Sequence, residues 1–300
     1  MIKKTPLLVV LAALLHGIPA GAADSAPATA TPAALKTGPC FGEPDNTKTL
    51  VEIDAEDRPH RESYNRDDYR KLLTELSNPR YEVLPLRDFD QHADSTTDKV
   101  VVALRHDIDS HPLRALRMAE LEKELGIRST FFILHSANYY GTVKDGVMIR
   151  NGAVDKLAKQ LNDMGFEIGI HRDLFNMMWK HQFEPRAFMN EEVAYYKTLG
   201  IPVVGSAAHG DQTTISRKLN EKWIYSDFGK TGAYVLEGKA YPYGEFPRKD
   251  FGVAYDAYLL KTNAYISDIQ RKSPEEMAST LAKLPPGSRV QILIHPEHWQ

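Results

Sequence analysis

The sequence predicts an α/β fold on a parallel sheet, either a closed (β/α) barrel or an open doubly wound sheet. Three observations predict it. Strand-like and helix-like segments alternate over about 230 residues. Residues 99–106 (KVVVALRH) are a β-rich apolar run of the kind buried on both faces of a sheet. No Gly-rich phosphate fingerprint follows that strand, which weighs against a dinucleotide-binding form of the fold.

The elements follow in order. Tyr69, Leu72, Leu73 and Leu76 recur at helical spacing, and residues 81–86 (YEVLPL) read as a short extended piece. After the 99–106 strand, Pro112 fits the first turn of a helix and Gly126 its C-terminal cap. Residues 129–134 (STFFIL) are the next strand. Val154, Leu157, Ala158, Leu161 and Met164 form an apolar helical stripe that Gly165 stops. Residues 166–170 (FEIGI) form a strand, 185–199 a helix, 202–206 (PVVGS) a strand and 258–266 another. Ser273 and Glu276 have capping-box spacing and open a helix that runs to Leu284. Residues 289–294 (RVQILI) are the last strand.

Composition narrows the class. The 300 residues carry 37 Lys+Arg against 40 Asp+Glu, a net charge of −3, so no polycation is present to hold nucleic acid. Hydrophobic residues make up 42% and charged residues 26%, a globular balance. The single cysteine, Cys40, excludes an internal disulfide and any multi-cysteine zinc site. Lys3 and Lys4, the apolar run 7–15 and the small residues 19–23 have the order of an export signal, so residues 1–23 are expected to be a signal peptide. Residues 24–47, rich in Ala, Pro and Thr, read as a flexible tether. Residues 48–300 show no second composition break and read as one domain. No other run is long and apolar enough for a membrane helix, so the mature protein is expected to be exported, periplasmic or secreted.

The polar residues fall in a pattern. The 99–106 strand runs out into Asp107 and Asp109, the 166–170 strand ends at His171, the 202–206 strand stops just before His209, and the last strand ends at His295. Acids and imidazoles thus collect at the C-terminal ends of four strands, the edge where parallel α/β folds build their sites. Alternation along a strand puts Arg105, Asp107 and Asp109 on one side and His106 and Ile108 on the other. Two carboxylates that close call for a cation, supplied by Arg105 and by a metal. A natural division is one aspartate on the metal and one as a base. Mixed Asp and His ligands suit zinc or a related divalent first-row metal, and a histidine on another strand can protonate a leaving nitrogen. His92, His135, His181 and His298 carry no assigned role, and His106 and His111 read as packing.

Residues 104–134 (LRHDIDSHPLRALRMAELEKELGIRSTFFIL), EIGIHRDL at 167–174, AHGD at 208–211 and ILIHPEHW at 292–299 carry a resemblance. From about residue 65 onward the chain resembles the polysaccharide deacetylase family of carbohydrate esterases, in its divergent branch with an Arg-His-Asp-x-Asp first motif. The resemblance implies a distorted (β/α)7 barrel and metal-dependent removal of N- or O-acetyl groups from sugars. It implies Asp107 as base, Asp109 and His171 as metal ligands, and His295 as general acid. The mainstream family has Thr-Phe-Asp-Asp-Gly in the first motif and a further histidine four residues after the first metal histidine. That position here is Phe175. His209 is the candidate replacement ligand. Asp268 resembles the family's later acidic motif, which orients the catalytic groups, and Asp227 competes for that role. Trp299, with Tyr139, Tyr140, Trp179, Tyr241 and Tyr243, is a candidate sugar-stacking surface.

The implied cofactor is a divalent metal ion, zinc first, with cobalt or nickel as alternatives. The implied partner is an acetylated glycan, with no nucleic acid and no membrane span in the mature chain. Two other functions are carried alongside: a glycan-binding protein on the same scaffold without turnover, and a metal-dependent amidase acting on a non-sugar amide.

Overall fold

A computed structural model describes residues 30–57, 64–210, 216–270 and 272–299. The expected signal peptide, His16, His60 and Asp211 lie outside the described residues. The chain order is β1 (Thr31–Pro32), α1 (Leu50–Glu56), α2 (Arg66–Leu76), β2 (Tyr81–Leu84), α3 (Leu86–Gln91), β3 (Val100–Ile108), α4 (Pro112–Glu124) and β4 (Thr130–Leu134). Then come the hairpin β5 (Gly141–Lys144) and β6 (Val147–Arg150), followed by α5 (Gly152–Asp163), β7 (Glu167–Arg172), α6 (Leu174–His181), α7 (Pro185–Thr198) and β8 (Gly205–Ala208). A second hairpin, β9 (Gly232–Leu236) and β10 (Lys239–Tyr243), precedes β11 (Tyr255–Asp256), β12 (Ala264–Ser267), α8 (Pro274–Ala282) and β13 (Arg289–Ile294).

Seven parallel strands run in the order β11-β8-β7-β4-β3-β13-β12. An eighth, β2, pairs with residues 100–103 of β3, and β4 takes over the same side of β3 from Arg105 onward. The sheet curls until β3 and β11, four places apart, share an inner cluster of Val101, Ala103, Phe132, Ala207 and Tyr255. This is the expected distorted barrel. Among the described residues no ladder joins the edge strands β11 and β12. Residues 257–263 cross that seam, where the Gln291 side chain donates to the Ala257 carbonyl at 2.9 Å.

Alternation along β3 explains the two faces. Val100, Val102 and Leu104 point outward and pack against Leu72, Leu73 and Leu76 of α2, Met118 and Leu121 of α4, and Met277 and Leu281 of α8. Val101 and Ala103 point inward, so Arg105 and Asp107 continue the inner face. The N-terminal end of the barrel is plugged by α3, whose Leu86 and Phe89 join the inner cluster. Arg289 lies over the Phe89 ring at 3.7 Å and donates to the Phe89 carbonyl, closing the floor.

Inner-face glycines make room for aromatic rings. A Cβ on Gly169 would lie 2.3 Å from Phe132, and one on Gly205 would lie 2.2 Å from Tyr255. Gly169→Ala is expected to cost about 1–3 kcal/mol through overpacking, read as a lower Tm. An unchanged Tm would show that Phe132 moves freely.

The structure differs from the sequence expectations at three places. The strand expected at 202–206 is β8 at Gly205–Ala208, because pairing starts only where Gly205 meets Tyr255 of β11 and Ser206 meets Ile170 of β7. The strand expected over 258–266 is confined to β12, and the two-residue β11 precedes it. The described part of the expected tether is not loose. β1 pairs with β10, bridges join Lys36 to Phe183, Phe41 to Met148 and Asp45 to Asn151, and Cys40 is fully buried. The Cys40 backbone N–H donates to the Glu191 carboxylate at 2.9 Å. Burial, reinforced by Glu191, pushes the thiol up to about 12, so it is an inert packing group.

Candidate active site

The C-terminal ends of all the sheet strands open on one side, and the predicted residues meet there. Arg105, fully buried, holds Asp107 through Nε to Oδ1 at 3.0 Å and Nη2 to Oδ2 at 2.5 Å, and donates from Nη1 to Gln291 of β13 at 2.9 Å. Burial raises the Asp107 pKa, but Arg105, His171 and His295 outweigh it and hold the carboxyl below its ordinary value. Asp107 is therefore an anion at neutral pH.

Asp109 lies two residues further on, its Oδ1 3.2 Å from His171 Nε2 and its Oδ2 3.7 Å from His209 Nε2. Each histidine has its other nitrogen occupied. His171 Nδ1 donates to the Ala207 carbonyl at 2.9 Å, and His209 Nδ1 faces the Asp173 carboxylate at 3.4 Å. These bonds turn both Nε2 atoms toward Asp109. Burial raises the Asp109 pKa, and His209 and His171 bring it well below the usual carboxylate range.

The trio fits a divalent metal. Ligand atoms of Asp109, His171 and His209 all lie within 4.8 Å of one another. Zinc bonds of about 2.0–2.1 Å in a tetrahedron put ligands about 3.3 Å apart, close to the 3.2 Å between Asp109 Oδ1 and His171 Nε2. Asp109 Oδ1 is buried with no hydrogen-bond partner, which a cation would satisfy. Asp173 supports the site from behind: its carboxylate accepts from Ser136 and Asn176 at 2.6 Å, and its backbone N–H donates to His135 Nε2 at 2.6 Å.

Beside Asp107, His295 follows β13, the strand paired with β3. Its Nδ1 is 2.8 Å from Asp268 Oδ1, and its backbone N–H donates to Asp268 Oδ2 at 2.7 Å. Burial alone would lower the His295 pKa, but Asp268 raises it to about 10. The ring is an imidazolium at neutral pH, the form an acid catalyst needs. His298 also reaches Asp268, at 3.1 Å.

No protein-family model and no curated protein matches the chain. Solved structures do align. The CE4 family pseudoenzyme BA3943 from Bacillus anthracis is 15% identical over 65% of this chain and 54% of its own, with a TM-score of 0.35. A BA3943 mutant described as having restored enzymatic activity gives 15% identity, 65% and 56% coverage and a TM-score of 0.35. The Streptococcus pyogenes deacetylase PplD in complex with acetate is 16% identical over 64% of this chain and 81% of its own, with a TM-score of 0.35. The chain spans little more than half the length of the two BA3943 chains.

Trp299 corrects an expectation. It is not a sugar platform: it is buried, its ring 4.5 Å from that of Tyr64, and its indole N–H donates to Asp268 at 3.1 Å. It positions Asp268 from behind. Tyr139 and Tyr140 are buried too, with hydroxyls donating to the Ile108 carbonyl and to Glu192. Asp227 is paired with Arg248, not with a catalytic group. Phe175 packs against Tyr234 and Tyr241 of the β9–β10 hairpin.

Sequence reasoning missed Asp173, although its alternate spacing from His171 puts both on one side of the strand end. It also missed Glu297, buried with an unpartnered Oε2. Burial, then the Asp109 charge, raises that carboxyl well above its ordinary pKa.

Proposed function

We propose that the chain is an exported, metal-dependent hydrolase that removes N- or O-linked acetyl groups from a cell-envelope or extracellular polysaccharide. The observation that carries it is the meeting of two units at the C-terminal edge of one sheet, where His295 follows β13 beside the end of β3. One is an ionised Asp107 beside an Asp109–His171–His209 trio; the other is a protonated His295 held by Asp268. The order of basic, apolar and small residues over 1–23 supports export. Among the described residues no helix is long and apolar enough to cross a membrane.

Asp109, His171 and His209 would hold the ion, and Asp173 and the Ala207 carbonyl would fix the two rings. The chemistry supplied by such an ion, when bound, would be a water whose pKa falls to about 7 and a polarised carbonyl oxygen. Asp107 accepts the proton of the attacking water, with Arg105 keeping it anionic beforehand. His295 donates from Nε2 to the departing nitrogen or oxygen while Asp268 retains the Nδ1 hydrogen bond. The histidine missing at Phe175 favours a scaffold without turnover, and the place of His209 beside Asp109 and His171 supports the catalytic reading instead.

Purified protein is expected to hold about one equivalent of metal and to release acetate from acetylated oligosaccharides, with loss on chelation and recovery on adding zinc, cobalt or nickel. Less than about a tenth of an equivalent, with no recovery, would sink the metal role. Turnover of non-sugar amides alone would move the substrate to the amidase class.

The acid also has a pH signature. His295 must be protonated, so its pKa of about 10 places the alkaline limit of activity near that pH. Asp268→Asn removes the group that raises it, and the limit is expected to fall by more than about 1 pH unit toward the ordinary value near 6.5. The same raised pKa stabilises the fold: the contribution is complete below about pH 6.5 and is lost as pH rises through about 10. An alkaline limb unmoved in Asp268→Asn would remove His295 from the acid role.

A further inference from the structure

Three cations lie near one another by the β11–β12 seam, Arg105 on the inner face of the sheet and Arg172 on its outer face. Arg105 is matched by Asp107. Arg172, fully buried, is matched by Asp256 at 3.3 Å and Glu221 at 2.9 Å. The third is Lys222, half-buried on the short turn Glu221–Ile224, which Arg172 ties down through its bond to the Glu221 carbonyl. Among the described residues no carboxylate lies within ion-pair distance of its ammonium. Lys222 Nζ instead sits 3.8 Å from the centre of the Tyr258 ring.

The same ring carries a second cation. The Arg105 guanidinium lies 4.9 Å from the Tyr258 centroid, and Arg105 Nη2 is 3.4 Å from the Tyr258 hydroxyl. Tyr258 is therefore one step from Asp107, and Lys222 is one step from Tyr258. Burial, with Arg105 and Arg172 adding to it against Asp256, lowers the Lys222 pKa. A ring face attracts one cation by about 0.5–2 kcal/mol but does not neutralise it. Two cations share one ring, and the nearby carboxylates are committed to Arg105 and Arg172, so the Lys222 ammonium is left on the ring face, open to an anion. Tyr265, at an inner-face position of β12, is 41% exposed and offers an open aromatic surface.

We propose that Lys222, seated on Tyr258, is a subsite for an anionic group, carboxylate or phosphate, carried by the glycan close to the acetylated sugar. The substrate class is then an acidic polysaccharide. This rests on the deacetylase reading above. Lys222 selects the substrate by charge, and Tyr258 sets its distance from Asp107.

Three acetylated oligosaccharides of equal length test it: one neutral, one bearing uronate, one phosphodiester-linked. The full chain is expected to show a KM at least about tenfold lower for one anionic substrate than for the neutral one, a difference that shrinks with salt. Which anionic arm gains identifies carboxylate or phosphate. Lys222→Met keeps the apolar stem, removes the charge, and is expected to bring the anionic-to-neutral KM ratio to about one. Lys222→Arg is expected to restore the preference. Equal KM values in the unaltered protein, or a preference that survives Lys222→Met, would overturn the proposal. If no substrate releases acetate, the deacetylase reading fails, and equilibrium binding of the same three oligosaccharides still decides the subsite. Loss of an anionic preference in Lys222→Met would uphold it, and equal binding of all three would end it.

Discussion

Asp107→Asn is expected to lower acetate release by about 10²–10⁴, the usual contribution of a positioned general base, while metal content stays near one equivalent. Asp107 is outside the Asp109–His171–His209 trio, and both its oxygens are held by Arg105. The amide keeps the shape and accepts from Arg105 through one oxygen, but it has no charge and no lone pair basic enough to take a proton. The substitution also leaves a fully buried guanidinium without its anion. Breaking a buried pair costs about 3–5 kcal/mol, so a lower Tm is expected too. Activity should therefore be compared at a temperature where circular dichroism shows both proteins folded. Retention of more than about a tenth of the activity would remove Asp107 from the base role. A parallel fall in metal content would make it a ligand instead.

The site was legible where chemistry follows chain geometry. Alternation along β3 fixes Arg105, Asp107 and Asp109 on one face without any tertiary knowledge, and the structure adds only that this face is the inner one. β13 matches its predicted span because RVQILI is apolar, β-branched and bounded by Pro and Gly. The rest depends on distant partners. Thr31 pairs with Lys239 across more than half the chain, and nothing in an Ala/Pro/Thr-rich segment announces that. The run Pro202-Val203-Val204 looks as strand-like as Gly205–Ala208, and only the registers with β7 and β11 separate them. The sequence marks Trp299 as aromatic and close to His295, but the direction of its ring is set by Asp268, Tyr64 and Tyr69. Lys222 belongs to no motif: its place comes from Arg172 tying down one short turn.

His209→Gln is expected to weaken metal binding by at least about 100-fold. Asp173→Asn, which only loosens the support of the His209 ring, is expected to cost about 10–100-fold. The order matters because the two readings of the missing histidine predict opposite results. If His209 is the third ligand, its loss leaves Asp109 and His171 alone, too few to hold a divalent ion against water. If Phe175 marks a lost ligand on a degenerate scaffold, His209→Gln changes little, because binding is weak already. Adding Phe175→His to His209→Gln is expected to give no rescue. Phe175 lies 5.2 Å from the Tyr234 ring and 6.0 Å from the Tyr241 ring, inside the packing between α6 and the β9–β10 hairpin. A histidine there would bury an imidazole among rings with no metal in reach, lowering Tm as well. Competition with a chelator at fixed pH gives each Kd. Rescue by Phe175→His would mean that α6 rotates to present that position to the mouth, and the assignment of His209 as the replacing ligand would fall.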